Sequence, residues 1–539
     1  MRARLPPQHI LSSPAVLARE LVLGKSLGVA ASGSPEVSQT AVEILQAGGN
    51  AFDAVLGALC TAVIAEPLLA SLGGGGFLLA MPGSGSPLVY DFFCQTPARR
   101  RPDKELDFYP IMADFGTILQ EFHIGMGSIA VPGVVAGIFE IHHDLGRMPI
   151  GEIMAPAVKL ARSGVEVNGF SHYIIRILQP IVEATRDSFS LYESPGNPGQ
   201  LIQQGERLVN PVAASALEAL ARMGPDVFYR GDWAEQLARD CRGNGGQLTA
   251  GDLAAYRVAR REPVRFSYRD AKCFINPPPS PGGCLIAFGL KLLSDWLPPG
   301  TEFGSPEHVM GLLRSLRAAN FARDDYKLEP GLEKLLDDKT VNQWRQGLEE
   351  HSMFSRGTTH ISVADSAGNL ASLSVSNGEG CSYVLPGTGI MLNNMLGEED
   401  LNPGGFHQWK EGCRLASMMS PAVAERADGS RFALGSGGSN RIRSAITQVF
   451  NNLLDFELSP EKALAAPRIH LENDLLSIEE GFSKKALQAL EAAAPETHEW
   501  AGKNLFFGGV HIVSASGDGR FDGAGDPRRG GAVAFARGR

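Results

Sequence analysis

Gly357-Thr358-Thr359-His360 is the stretch whose residue types could do covalent chemistry. A threonine hydroxyl is a weak nucleophile at neutral pH unless a base stands beside it. One solution is to make the threonine the first residue of a chain. Its own α-amine, with a pKa of roughly 8, can then take the hydroxyl proton. For an internal threonine the preceding bond must first be cut. The Thr358 hydroxyl can attack the Gly357 carbonyl, and water can then hydrolyse the resulting ester. Glycine at 357 leaves that carbonyl unhindered and tolerates a strained backbone. The same four residues also open many ordinary strands, so the tetrapeptide alone leaves both readings standing.

Other constellations lead nowhere. Gly24-Lys25-Ser26 has the tail of a phosphate-binding loop, but Arg19 stands where its first glycine belongs. Glu140 and His143 have the i, i+3 spacing of a metal pair, with no second pair to complete a site. In Gly435-Ser436-Gly437-Gly438-Ser439 the order of serine and glycine is wrong for a nucleophile elbow.

The elements that must position Thr358 are partly readable. From Thr358 on, Thr359, Ile361 and Val363 alternate with Thr358, His360 and Ser362, a strand period. Asp365-Ser366-Ala367-Gly368-Asn369 is turn chemistry. Alternation resumes with Ala371, Leu373 and Val375 against Ser372, Ser374 and Ser376. The two runs form a hairpin. Upstream, Ser34-Pro35-Glu36 starts a helix, with Ser34 as cap, and Gly48-Gly49 stops it. A second helix runs from about Ala51 to Ala65. Gly73 to Gly76 precede the strand-like Phe77 to Met81, for close backbone packing or for presenting N–H groups to a ligand. Roughly 133 to 345 reads as mostly helical, with Ile153, Ala157, Leu160 and Ala161 on one face. The proline loop Pro277 to Gly283 enters a helix over Leu285 to Leu293.

Composition narrows the classes. The chain has 539 residues, 44% hydrophobic and 20% charged, enough for a large core. A net charge of −10 argues against a general nucleic-acid binder. Ala54 to Ala65 is too short to span a bilayer and reads as a buried helix. Met1 to Arg19 lacks the apolar run of a secretory signal. Seven scattered cysteines without a CxxC pair suit reduced thiols, so a cytoplasmic location without membrane attachment is expected.

Over nearly its whole length the chain resembles the γ-glutamyltransferase family of N-terminal nucleophile hydrolases. The matching blocks come in family order: Ala47 to Ala54, Glu66-Pro67 with Gly73 to Phe77, Val131-Pro132-Gly133, Met148-Pro149 with Ala155-Pro156-Ala157, and Leu253 to Tyr256. The proline loop follows, then Thr358-Thr359-His360 with its Asp365 turn. After these come Leu392-Asn393-Asn394, Met419-Ser420-Pro421, Gly435 to Ile442, Ala466-Pro467-Arg468 and Asp526-Pro527-Arg528. The resemblance implies an α+β fold, a four-layer αββα sandwich built by two subunits of one precursor. Residues 1–357 would be the large, mostly helical subunit and 358–539 the small catalytic one, cut between Gly357 and Thr358.

Residue by residue, the resemblance makes Thr358 the nucleophile and Ser376 the hydroxyl beside it. Backbone N–H groups of the glycine turn would form the oxyanion hole, Gly438 with Ser439 in one register or Gly437 with Gly438 in the other. Ser417 matches the first of two serines that hold the glutamyl α-carboxylate, and Met418 replaces the second. Phe93 stands where the family has an arginine that clamps that carboxylate. Gly378 replaces an asparagine that contacts substrate, and Met395 replaces a residue that binds the α-amino group. Glu398 keeps the nearby acidic position. No metal or organic cofactor is implied. The expected partner is a small-molecule amide, a γ-glutamyl compound or an analogue.

These replacements leave the hydrolytic groups in place and rewrite the pocket for a zwitterion. Phenylalanine cannot substitute for an arginine–carboxylate bridge. The expectation is therefore hydrolysis or transfer of an acyl group from an amide, with weak glutathione cleavage unless an arginine such as Arg441 or Arg99 substitutes. The alternatives are an acylase or amidohydrolase of the same fold acting on non-glutamyl amides, and an unprocessed, inactive binding homologue.

Overall fold

The computed structural model describes residues 26–114, 119–326, 332–337, 341, 358–402, 404–472, 474–494 and 496–538. Gly357, Gly24-Lys25 and Met1 to Arg19 lie outside the described residues.

Along the first part of the chain the main strands are β1 (Ser26–Ser32), β2 (Gly75–Met81), β3 (Leu88–Phe92), β4 (Ala259–Arg261), β5 (Val264–Tyr268) and β6 (Ala271–Ile275). Then come β7 (Thr359–Asp365), β8 (Leu370–Ser376), β9 (Ala422–Arg426), β10 (Arg431–Gly437), β11 (Gly509–Ala515), β12 (Phe521–Ala524) and β13 (Ala532–Arg537). They form a seven-stranded sheet in the order β13-β1-β7-β8-β2-β3-β4 and a six-stranded sheet in the order β12-β11-β10-β9-β6-β5. Neighbours in both sheets are antiparallel.

The sheets face each other, and helices cover both outer faces. Helices α1 (Pro35–Gln46), α2 (Ala51–Ala65), α3 (Val134–Leu145), α4 (Ile150–Ser163), α5 (Gly169–Ile177) and α6 (Pro211–Met223) come from the first half. All but α5 contribute to the core over Leu78, Ile361, Val363, Ala371 and Leu373 of the larger sheet. Helices α7 (Gly282–Trp296), α8 (Pro306–Tyr326), α9 (Arg441–Leu454) and α10 (Lys484–Ala493) join the core of the smaller sheet. The expected αββα sandwich is the architecture found.

The expected hairpin is β7-β8, paired from Thr359↔Val375 to Ala364↔Leu370. Its apolar face meets the helices, while its serine face is buried against the second sheet. Buried hydroxyls need partners there. Ser372 Oγ donates to Leu434 O at 2.8 Å, and Ser362 Oγ to His511 O at 3.2 Å. Helices α1 and α2 fall where expected. Asn50 caps α2 through a capping box with Asp53. Ser34, expected to cap α1, instead donates its hydroxyl to Glu36 Oε2 at 2.6 Å and makes no cap bond. The hydroxyl is turned to donate to the carboxylate two residues on, a charge-assisted hydrogen bond.

The four glycines Gly73 to Gly76, which lead into and open β2, serve close packing. A Cβ at Gly74 would lie 2.3 Å from Ser376 O, and one at Gly76 would lie 2.4 Å from Ser374 O. The segment 133 to 345 is mostly helical, as expected, with the short strands β4, β5 and β6 set inside it. The alternation of β5 and β6, with Val264, Phe266 and Tyr268 buried, is only five residues long and joined by a tight turn. Glu140 pairs with Arg260 at 2.7 Å, and His143 lies 3.0 Å from Asp144. No described helix is long and apolar enough to cross a membrane.

Candidate active site

The β7-β8 register carries Thr358 and Ser376 to the end of the hairpin, one step past the pair Thr359↔Val375. Both are buried, and both line the same pocket. Ser376 Oγ accepts the Gly378 N–H at 3.0 Å. The Thr358 carbonyl accepts from Arg529 Nη1 at 3.2 Å. Thr359 turns to the other face of the sheet, and its Oγ1 donates to Glu66 Oε2 at 2.7 Å.

His360 is not a base for Thr358. Its ring lies between the sheets, with Nδ1 2.8 Å from Ser374 Oγ and Nε2 2.9 Å from Ser362 Oγ. Burial holds it neutral, well below the usual imidazole range.

Strand β10 ends against the hairpin. A Cβ at Gly437 would lie 2.0 Å from Thr358 O, so only glycine lets the chains approach this closely. The turn that follows has Gly438 at φ +123° and Ser439 at φ +51°, a conformation L side chains rarely adopt. Ser439 Oγ donates to Asp400 Oδ2 at 2.6 Å. Arg441 N donates to Gly438 O at 3.0 Å, and α9 begins there. Ile442, in its first turn, lines the pocket. A helix start supplies N–H groups without intrahelical acceptors and a partial positive charge.

The other expected residues divide as follows. Phe93, Met395, Glu398, Ser417, Met418 and Ser439 line the pocket with Thr358. Gly437, Gly438 and Gly378 do not. Gly437 packs behind Thr358. Gly378, at φ +64°, leaves no room for a side chain, since a Cβ would meet Asn394 Oδ1 and Glu398 Oε1 at 2.1 Å each. Ser417 Oγ accepts the Met419 N–H at 3.1 Å. Phe93 stacks on Phe77 with ring centres 5.3 Å apart.

No arginine or lysine lines the pocket among the described residues; its charged groups are Glu398 and Asp400. Arg441 points elsewhere, its Nε donating to Phe506 O at 2.9 Å under a guanidinium–ring contact. Arg99 is exposed. Arg414 lies behind Phe93, where it donates to the Phe93 carbonyl and sits 3.5 Å from Asp91.

Three residues were given no role from the sequence, Asp400, Arg529 and Glu66, although Glu66 opens one of the resemblance blocks. Arg529 follows Asp526-Pro527-Arg528, a resemblance block, which was the available signal. Asp526 binds Arg468 at 2.6 Å and Arg528 at 3.2 Å, all fully buried, and this knot fixes the Arg529 backbone. Glu66 ends α2 and is 8% exposed. Burial is the main cause that raises its pKa to about 7, only partly opposed by the Thr359 hydrogen bond. A carboxyl raised in the fold stabilises it fully below its unfolded pKa. That contribution fades as pH rises through about 7. Glu66→Gln, which can still accept from Thr359, is therefore expected to flatten the fall in stability between about pH 4.5 and pH 7. Denaturant midpoints across that range test this. An unchanged pH slope in the variant would refute it.

A family model for gamma-glutamyltranspeptidase matches residues 37–536. The chain belongs to that family. The acylase ACY 1 proenzyme of Pseudomonas sp. (strain V22) is 31% identical over 522 residues, covering 93% of this chain and 92% of that protein. The glutathione hydrolase proenzyme of Escherichia coli (strain K12) is 30% identical over 535 residues, covering 93% and 90%. Cephalosporin acylase from Bacillus halodurans superposes with a TM-score of 0.82 at 24% identity, over 98% of this chain and 99% of that one. It shares the fold. As a member of the gamma-glutamyltranspeptidase family, the chain is a hydrolase or acyltransferase. It is made as a precursor that is cleaved into two subunits and acts on a small molecule.

Proposed function

We propose that this enzyme is an acylase-like member of its family. It cleaves or transfers an uncharged acyl group from an amide and turns over γ-glutamyl compounds poorly. The observation that carries this reading is the pocket wall. Phe93, Met395, Met418 and Leu401 are apolar, Glu398 and Asp400 are acidic, and no described lining residue is cationic. A substrate carboxylate there would lose its water, meet two acids and find no counter-ion. The acylase name of two of the relatives supports the same reading.

The precursor divides between Gly357 and Thr358 into residues 1–357 and 358–539. Both segments build both sheets: β7 and β8 lie between β1 and β2, and β9 pairs with β6. The cut chains therefore stay interlocked. The freed Thr358 amine takes the proton of the Thr358 hydroxyl, whose oxygen attacks the substrate carbonyl. Gly438 and Ser439 N–H groups hold the oxyanion, the register that suits Ser439 at the pocket wall. The amine of the substrate leaves with the proton. Water or an acceptor amine then releases the acyl group from threonine. Ser376 orients the hydroxyl, and Ser417, Met418, Met395 and Phe93 shape the acyl site. The reaction runs in a reducing compartment such as the cytoplasm, in keeping with seven cysteines, six of them buried, that form no disulfide.

Profiling the processed enzyme on p-nitroanilides tests the specificity. Hexanoyl or phenylacetyl anilide is expected to exceed γ-glutamyl anilide in kcat/KM by about 10²-fold or more, the cost of an unpaired charge. Preference for the γ-glutamyl compound would overturn the proposal.

A further inference from the structure

The strand that carries the expected nucleophile has a second cavity at its back. Thr359 Oγ1 points into the helical layer and donates to Glu66 Oε2 at 2.7 Å. The other oxygen, Glu66 Oε1, is buried and has no hydrogen-bond partner among the described residues. Glu66 forms part of the wall of a partly open cavity. Leu68, Leu69, Phe170, Ile174 and Ile175 supply apolar walls.

The charges around this cavity have one sign. Glu36 and Glu166 line it with Glu66, and no described lysine or arginine does. Arg529 is the nearby cation that acts on Glu66, and its Nη1 is engaged by the Thr358 carbonyl. A buried carboxyl oxygen without a donor, apolar walls and acids around them ask for a donor that is itself cationic and attached to an apolar body.

We propose that this cavity binds an amphipathic primary ammonium, with its N–H groups on Glu66 Oε1 and its apolar body against α5. A primary ammonium brings three donors and a compact charge. The occupant never touches substrate. Glu66 in turn accepts from Thr359, the neighbour of Thr358. The proposal stands independently of the acyl specificity, because binding is measured directly.

Calorimetric titration of the processed enzyme with benzylammonium and with benzyl alcohol tests it. One benzylammonium per chain is expected, bound at least about tenfold more tightly than the alcohol. Glu66→Gln is expected to bring the two within about twofold. Ser171 is a partly exposed lining residue of α5, and Ser171→Trp, which fills the cavity, is expected to abolish binding of both. This second variant decides the matter if Glu66→Gln does not fold. Glu398→Gln, in the other acidic pocket, should leave benzylammonium binding unchanged. Absence of binding, a preference for the cation that survives Glu66→Gln, binding that survives Ser171→Trp, or binding lost in Glu398→Gln would each overturn the proposal.

Discussion

Thr358→Ala is expected to leave the precursor in one piece and without acyl-transfer activity. The hydroxyl is the only group at this position that can attack the Gly357 carbonyl. Without it no ester forms, the 357–358 bond survives, and the α-amine that would act as base is never released. Two requirements fail at once, so turnover should fall by a factor on the order of 10⁴ or more, as when a covalent nucleophile is removed elsewhere. Thr358 is buried at the end of the hairpin and its backbone is held by Arg529, so alanine removes little packing and the fold should persist. Intact-mass analysis is the direct check. Wild type should give two fragments divided between 357 and 358, and the variant one chain. A variant cut at that bond would remove the threonine mechanism altogether. Thr358→Ser, which keeps a hydroxyl, is expected to restore cleavage.

Gly437→Ala is expected to produce the next largest loss, although this residue lines no pocket. The added Cβ would stand 2.0 Å from the Thr358 carbonyl oxygen. That oxygen is backbone, so no side-chain rotation relieves the overlap. Either β10 or the start of β7 must move by an ångström or more. A shift of that size between nucleophile and oxyanion donors costs about 10²-fold in rate. The comparison is kcat in single-turnover assays of the processed variant beside the rate of its own cleavage. Both steps use the same hydroxyl and should fall together. A processed Gly437→Ala enzyme with unchanged kcat would show that Thr358 is positioned by other contacts.

Much of this site was legible because it is local. Thr358 to Ser376 is one hairpin with a period-two pattern and an Asp-Ser-Ala-Gly-Asn turn, and such patterns read directly from the chain. The glycine turn and Ile442 likewise follow each other closely, since a strand runs straight into a helix start. The serine face of the hairpin misleads if read alone. Alternating serines suggest a solvated face, yet here they are buried, because the second sheet supplies carbonyl acceptors such as Leu434 O. The short strands β5 and β6 were lost among helices, because five residues give too little periodicity to outweigh their surroundings.

The sequence by itself determined the family, the threonine expected to react, the hairpin that holds it and the loss of the arginine at position 93. Each rests on residues adjacent in the chain or on blocks in a shared order. Only the tertiary structure decided what stands behind and around the threonine. Glu66 lies 293 positions from Thr359, and Arg529 lies 171 from Thr358. Asp400 reaches Ser439 across 39 residues. It also decided that neither Arg441 nor Arg99 replaces the missing clamp. The physical reason is that periodicity and turn chemistry act over a few residues. Which distant side chains meet at a pocket depends on how sheets and helices pack, and that is written only in the folded chain.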